Sequence, residues 1–255
     1  MIPALIFDVD GTLADTERDA HLVAFNEAFA EFCLEWHWSE TLYGELLAVT
    51  GGKERIKFFL DQYLPDFPRP DDLDGFIADL HKAKTKYYNS LIASGKIPLR
   101  PGVKRLIQEA HEMGLRLAIA TTTTLENVTT LLEASLDPQS VAWFEVIGAG
   151  NVVPKKKPAP DIYHYVLEKM QLTAKDCIAF EDSENGLKAT SAAGLPTIIT
   201  INDYTCEQDF TGALAVLDHL GEPDRPFSVI QGNIGSAQYV DVTLLQRLSI
   251  ALQSV

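Results

Sequence analysis

The chain has little cysteine, little basic charge and no long apolar run. Its three cysteines (Cys33, Cys177 and Cys206) form no CxxC pair and no evenly spaced set. No disulfide framework is therefore written into their spacing, and they read as buried reduced thiols in a reducing compartment. Lys and Arg number 21 against 36 Asp and Glu, a formal net charge of −15. Such a chain is a poor general binder of nucleic acid or of an anionic membrane surface, and any anionic substrate must be held by local cations. No apolar stretch approaches the ~18 residues of a membrane span. Met1 runs almost at once into a strand-like segment, which leaves no room for a leader peptide. The expectation is a cytoplasmic, monomeric protein.

What is present is ordinary for a globular protein: 255 residues, 46% hydrophobic and 22% charged. At ~150 residues per domain, that is one large domain or two unequal ones. Ala4-Leu5-Ile6-Phe7 is a short apolar run ending in Asp8-Val9-Asp10-Gly11-Thr12, which reads as a strand buried on both faces with polar residues at its carboxyl end. Similar runs recur at 115–120, 146–147, 177–180 and 197–200. Helical stripes lie between them, among them Val103, Leu106, Ile107 and Ala110, and Ile162, Tyr165, Val166, Leu167 and Met170. Strands alternating with helices predict a parallel α/β sheet of Rossmann-like type. Residues 17–93 carry only helical patterning (Leu22, Phe25, Ala28, Phe29, Phe32), broken by Pro65, Pro68 and Pro70. The expected division is therefore a core of residues 1–15 and 96–255 and an inserted all-helical cap of residues 16–95. The last ~35 residues carry little signal beyond a closing helix marked by Leu244, Leu245, Leu248 and Leu252.

In an open parallel sheet, ligands bind beyond the carboxyl ends of the strands. Four such ends carry polar residues: Asp8 and Asp10, Thr121-Thr122-Thr123-Thr124, Lys155-Lys156-Lys157-Pro158, and Glu181-Asp182-Ser183. Singly, each has a plainer reading as an Asx turn, a helix cap, a solvated loop or an acidic helix start. Together, in this order, they describe one crevice. Carboxylates gathered there repel one another unless a cation joins them, and oxygen-only ligands suit Mg²⁺. A lysine and threonine hydroxyls suit a phosphate. One Asp carboxylate could then attack phosphorus, and a second could move the proton.

The constellation resembles the haloacid dehalogenase superfamily of phosphatases and phosphomutases. The matching residues are Asp8-Val9-Asp10-Gly11-Thr12-Leu13, Thr121, Lys157-Pro158-Ala159-Pro160-Asp161-Ile162-Tyr163 and Glu181-Asp182-Ser183-Glu184-Asn185-Gly186, over residues 1 to about 200. The helical insertion is similar to the small cap of the β-phosphoglucomutase-like branch. The resemblance implies that Asp8 is nucleophile and metal ligand, that Asp10 is acid/base with its carbonyl on the metal, and that Thr121 with the N–H of Thr122 holds the transferring phosphoryl. It also implies that Lys157 neutralises that group and that Asp182, with Glu181, completes the Mg²⁺ site. Lys155 and Lys156 keep the solvated-loop reading.

In the cap, Thr50-Gly51-Gly52-Lys53-Glu54-Arg55 offers close backbone approach with two flanking cations. His81 and Lys84 share a helix face, and Glu17 opens the insertion. Gly51-Gly52 could also be a plain turn, and His81/Lys84 a solvated face. Cations on both cap and core imply a substrate with two anionic ends. With Thr123 added, these segments look like the CbbY group. That resemblance implies a phosphatase for xylulose-1,5-bisphosphate, an inhibitor of Rubisco. The alternatives are a phosphomutase, a phosphoglycolate-type phosphatase and, in another class, a silent sugar-phosphate sensor. His21, offset by one residue from the histidine of mutase relatives, is given no role.

Overall fold

Strand β1 (Ala4–Phe7) has no polar side chain and is wholly buried, as a strand covered on both faces must be. The computed structural model describes residues 3–253. In it β1 is an interior strand, third in a seven-stranded sheet of order β3-β2-β1-β4-β5-β6-β7, with β2 at Arg116–Ala120, β3 at Phe144–Gly148, β4 at Cys177–Glu181, β5 at Thr197–Thr200, β6 at Ala215–Leu217 and β7 at Val229–Gly232. Every neighbouring pair is parallel except β6–β7. The two faces divide β1 by its alternation. Leu5 and Phe7 join Leu106, Val128 and Ile178 on one side, while Ala4 and Ile6 join Ile162, Val166 and Leu195 on the other. The parallel α/β expectation holds.

Residues 17–93 form a helical block: a π-helical turn Glu17–Leu22, then α1 (Val23–Glu31), α2 (Glu40–Leu46), α3 (Gly52–Gln62) and α4 (Leu73–Ala93). The block has its own aromatic core around Trp38, whose ring meets Phe25 at 4.6 Å and Phe29 at 4.9 Å. Two chain crossings join it to the sheet. Ala14 and Leu99 form an antiparallel bridge, and Arg100 N–H donates to the Leu13 carbonyl at 2.8 Å.

Helices α5 (Val103–Glu112), α6 (Leu125–Leu131), α7 (Asp161–Met170), α8 (Glu184–Ala192) and α9 (Val242–Gln253) complete the layers. The expected closing helix is α9, with Leu244 and Leu245 buried; the Leu252 side chain lies outside the described residues. Strands β6 and β7 were not expected. Three residues of β6 are too few to show a pattern, and β7 is exposed at all four positions. The cysteine expectation is corrected in part: Cys177 is buried, but Cys33 and Cys206 are exposed, because they sit just past a helix end and in a surface turn. Among the described residues, no helix is long and apolar enough to cross a membrane.

Candidate active site

The carboxyl ends of β1, β2 and β4 meet at one edge, and the turn after β1 sets the spacing there. Gly11 adopts φ +81°, and a Cβ on it would stand 2.2 Å from Oδ2 of Asp182; only glycine lets the two loops approach so closely. The Gly11 N–H donates to the Ala14 carbonyl at 2.9 Å, which closes the turn. Gly186 has the same function on the other side, since its missing Cβ would lie 2.0 Å from Glu181 Oε2.

Three buried carboxylates result. Oxygens of Asp8, Glu181 and Asp182 lie within 4.8 Å of one another. Lys157 Nζ sits 2.6 Å from Asp8 Oδ1 and 2.6 Å from Glu181 Oε1. Tyr163 O–H also donates to Glu181, and Asn202 Nδ2 donates to Asp182 Oδ2 at 2.7 Å. Burial pushes the Asp8 carboxyl up to about 7, against the pull of Lys157. Burial, with the charges of Asp8 and Glu181, holds Asp182 well above the carboxylate range. Burial works against the Lys157 ammonium, but Asp8 and Glu181 outweigh it and raise its pKa. One ammonium thus faces three carboxylates that resist sharing a site. A hard divalent cation fits this donor set, which is all oxygen and carries excess negative charge.

Asp10 faces the helical block. Its Oδ1 accepts from Thr16 Oγ1 at 2.6 Å and lies 2.7 Å from His21 Nε2. Burial opposes its charge, but His21 and Thr16 prevail and hold it well below the usual carboxylate range. His21 in turn contacts Lys84 Nζ through Nδ1, and its ring stacks on Tyr88 at 4.3 Å. The residue set aside in the sequence is therefore a direct partner of Asp10. His21 lies in the π-helical turn Glu17–Leu22, which takes in more residues than an α-turn and so re-aims its side chains.

Two cavities share Asp10, Glu17, Gly51, Arg55 and Thr122. The first, about 220 Å³, also meets Asp8, Thr50, Thr121, Lys157, Glu181 and Asp182. The second, about 290 Å³, meets Gly52, Lys53, His81, Lys84 and Thr123. Thr121 N–H donates to the Gly148 carbonyl at 2.9 Å, and Thr124 takes the N-cap of α6. Arg55 is buried, donates from Nη1 to Tyr43 O–H at 2.7 Å and stands 3.8 Å from Glu17; its Nε has no partner. Tyr43 O–H donates to Glu17.

Several expectations need correction. Lys156 is no solvated lysine: its Nζ lies 2.8 Å from Glu54 Oε1, tying the core loop to α3. Lys156 lines the second cavity, and Glu54 lines neither. The face bearing His81 and Lys84 is not solvated either. Lys84 is 3% exposed, and burial pushes its pKa down to about 7. Burial and the charge of Lys84 push His81 down to about 3, so it is neutral near pH 7 and is not one of the cations. Sequence reasoning missed Tyr43 and Asn202 and gave His21 no role; of these, only His21 carried a signal, its place one residue off the histidine of mutase relatives.

The family model of the haloacid dehalogenase-like hydrolases matches residues 2–194. The chain is 51% identical to the plasmid-encoded CbbY protein of Cupriavidus necator over 223 residues, 88% of this chain and 87% of that protein. It is 47% identical to the CbbY protein of Cereibacter sphaeroides over 222 residues, 87% and 94% of the two chains. The crystal structure of CbbY from Rhodobacter sphaeroides with phosphate matches with a TM-score of 0.80 at 46% identity, covering 86% of this chain and 95% of that one. An aspartate-to-asparagine variant of the same protein was crystallised with xylulose-1,5-bisphosphate. A β-phosphoglucomutase from Clostridium difficile shares the fold at a TM-score of 0.74 with 17% identity, covering 100% of both chains.

Proposed function

Because the chain belongs to the haloacid dehalogenase-like hydrolases, and within them to the CbbY group of phosphatases, we propose that it is a Mg²⁺-dependent sugar-bisphosphate phosphatase. Its substrate is xylulose-1,5-bisphosphate and its products are xylulose-5-phosphate and phosphate, which removes an inhibitor of Rubisco. The observation that carries the reading is one cavity whose floor holds Asp8, Lys157 and Asp182 and whose wall includes the buried, positively charged Arg55. The aspartate-to-asparagine variant of the Rhodobacter sphaeroides relative was crystallised in complex with the same bisphosphate. In this reading residues 16–95 are a cap over a core of residues 1–15 and 96–255, in a cytoplasmic monomer.

Asp8 attacks phosphorus through a carboxylate oxygen. The ester P–O bond breaks, and its electron pair leaves on the sugar oxygen, which takes a proton from Asp10. Here His21 and Thr16 hold Asp10 ionised; the arriving phosphate is an anion and favours protonation of Asp10. Water then attacks the phosphorus of the aspartyl-phosphate and gives its proton back to Asp10, and Asp8 departs as carboxylate. Thr121, the N–H of Thr122 and Lys157 hold the phosphoryl oxygens. Asp8, Asp182, the carbonyl of Asp10 and Glu181 would hold the metal, which supplies positive charge against the phosphoryl oxygens. Arg55 takes the distal phosphate, with Lys53 and Lys84 on the same side and Glu17 for hydroxyls.

The test is product analysis with xylulose-1,5-bisphosphate, β-glucose-1-phosphate and phosphoglycolate as substrates. Phosphate release with highest kcat/KM on the bisphosphate supports the reading. An isomerised sugar phosphate would make the protein a mutase, and preference for phosphoglycolate would move it to that class. No turnover of any ester would leave the sensor reading.

A further inference from the structure

None of the four motifs includes Arg100, yet its side chain joins the segments at the carboxyl ends of β1, β5 and β6. It stands where the chain returns from the helical block to the sheet and is 8% exposed. Its Nη1 donates to the carbonyls of Gly11 and Thr200, the latter at 2.9 Å. Its Nη2 donates to the carbonyls of Ile201 and Asp218, the latter at 2.8 Å, and Nε stands 3.2 Å from Oδ1 of Asp15. A planar guanidinium with five donors can serve such a fan of acceptors; an ammonium, with three donors on one atom, cannot.

Two of these acceptors matter for chemistry. Gly11 follows Asp10 directly, and its α-carbon lies against the Asp182 carboxylate. Ile201 precedes Asn202, whose Nδ2 holds Asp182 Oδ2 at 2.7 Å. One buried guanidinium therefore grips the Asp10 loop and, through Asn202, the support of Asp182. Arg100 lines neither of the two cavities described above, so it does not meet the substrate from this position.

We propose that Arg100 is a positioning residue that holds the Asp10 loop and the Asn202–Asp182 pair at their working separation, so that it acts on turnover and not on substrate capture. The proposal rests on the roles given above to Asp10 and Asp182. Catalytic geometry is sensitive to shifts of about 1 Å, which cost on the order of 10²-fold.

The experiment is steady-state kinetics of Arg100→Met and Arg100→Lys against wild type, on xylulose-1,5-bisphosphate and on p-nitrophenyl phosphate, normalised to folded protein by circular dichroism. The expected result for Arg100→Met is a kcat lower by roughly tenfold or more on both substrates with KM within about threefold, the pattern of a lost transition-state interaction. Arg100→Lys, which keeps the charge and part of the contact set, is expected to be intermediate. A folded Arg100→Met with wild-type kcat overturns the proposal, as does a loss confined to KM. If Arg100→Met does not fold, Arg100→Lys decides by the same criteria, and failure of both to fold assigns Arg100 to the fold alone and overturns it. Wild type that splits the aryl phosphate but not the bisphosphate refutes the substrate reading and leaves this comparison intact. Wild type that splits neither overturns both.

Discussion

Lys156 and Glu54 form an ion pair at 2.8 Å across the gap between the core loop and α3, with the lysine side chain 18% exposed and the glutamate 47%. The pair joins residues 102 positions apart and stands beside Gly51, where a Cβ would meet both side chains. It ties the loop after β3 to the helical block. Exposed pairs contribute ~0.2–1 kcal/mol, so Lys156→Ala should lower kcat/KM by at most about fivefold and leave kcat with saturating substrate unchanged. A loss much larger than this would give Lys156 a direct contact with substrate.

Asp8→Asn removes the carboxylate proposed above as nucleophile and metal ligand. Burial pushes the Asp8 carboxyl up to about 7 from 3.8, so the folded protein binds a proton that the unfolded chain releases. Stability of the ligand-free protein therefore falls as pH rises from 3.8 through about 7, and the full penalty is present above that. The variant should be inactive and, at about pH 8 without metal, at least as stable as wild type. Thermal denaturation with a phosphate-release assay checks both halves.

The same raised carboxylates govern metal binding. Protons compete with a cation for Asp8 and Asp182, whose ionised forms burial disfavours. Millimolar Mg²⁺ should therefore raise Tm more at about pH 8 than at about pH 5. Chelator should abolish activity, and Mg²⁺ should restore it. A Tm shift equal at both pH values would mean that these carboxylates are not the ligands.

Arg55 is engaged by Tyr43 through Nη1 and lines both cavities. Losing a charge-assisted contact of ~1.5–3 kcal/mol should reduce kcat/KM for the bisphosphate about 10- to 100-fold in Arg55→Ala. An aryl phosphate, with no second phosphate, should lose less than about threefold. Equal losses on both substrates would assign Arg55 to cap folding through Tyr43 and Glu17.

Lys84 is buried between Phe25 and Tyr88, 5.2 Å and 4.9 Å from their ring centres. Burial pushes its pKa from 10.5 down to about 7. Between those values the unfolded chain holds a proton that the folded chain lacks, so stability rises with pH across that window, and below about 7 the cost of the buried charge is fully present. Lys84→Met should therefore raise the urea midpoint at about pH 6 and gain progressively less toward pH 10 or so, while lowering activity through His21 and Asp10. A lower midpoint than wild type at the acidic end would refute the burial argument.

The core half of the site was legible because its signals are local. A short apolar run followed at once by acidic or hydroxylic residues is a strand with its functional end, and a parallel sheet must gather all such ends on one edge. Asp8, Asp10, Thr121, Lys157, Glu181 and Asp182 could thus be assigned to one crevice before any coordinates. The aromatic-rich stretch 17–93 could be read as helical by the same local logic, since Phe25, Ala28 and Phe29 repeat at helical spacing.

What the sequence could not hold was decided by contacts between distant segments. No local pattern says that a π-turn swings His21 onto Asp10, that Tyr43 joins Glu17 to Arg55, or that Asn202 reaches back to Asp182. Nor does it say that Lys156 leaves solvent for Glu54, or that burial strips His81 of its charge. Strand periodicity and loop chemistry are set by neighbours in the chain, so the sequence by itself determined the α/β core and the residues at its functional edge. Charge state, hydrogen-bond partner and burial depend on whatever the fold packs against a side chain, and only the tertiary structure decided those.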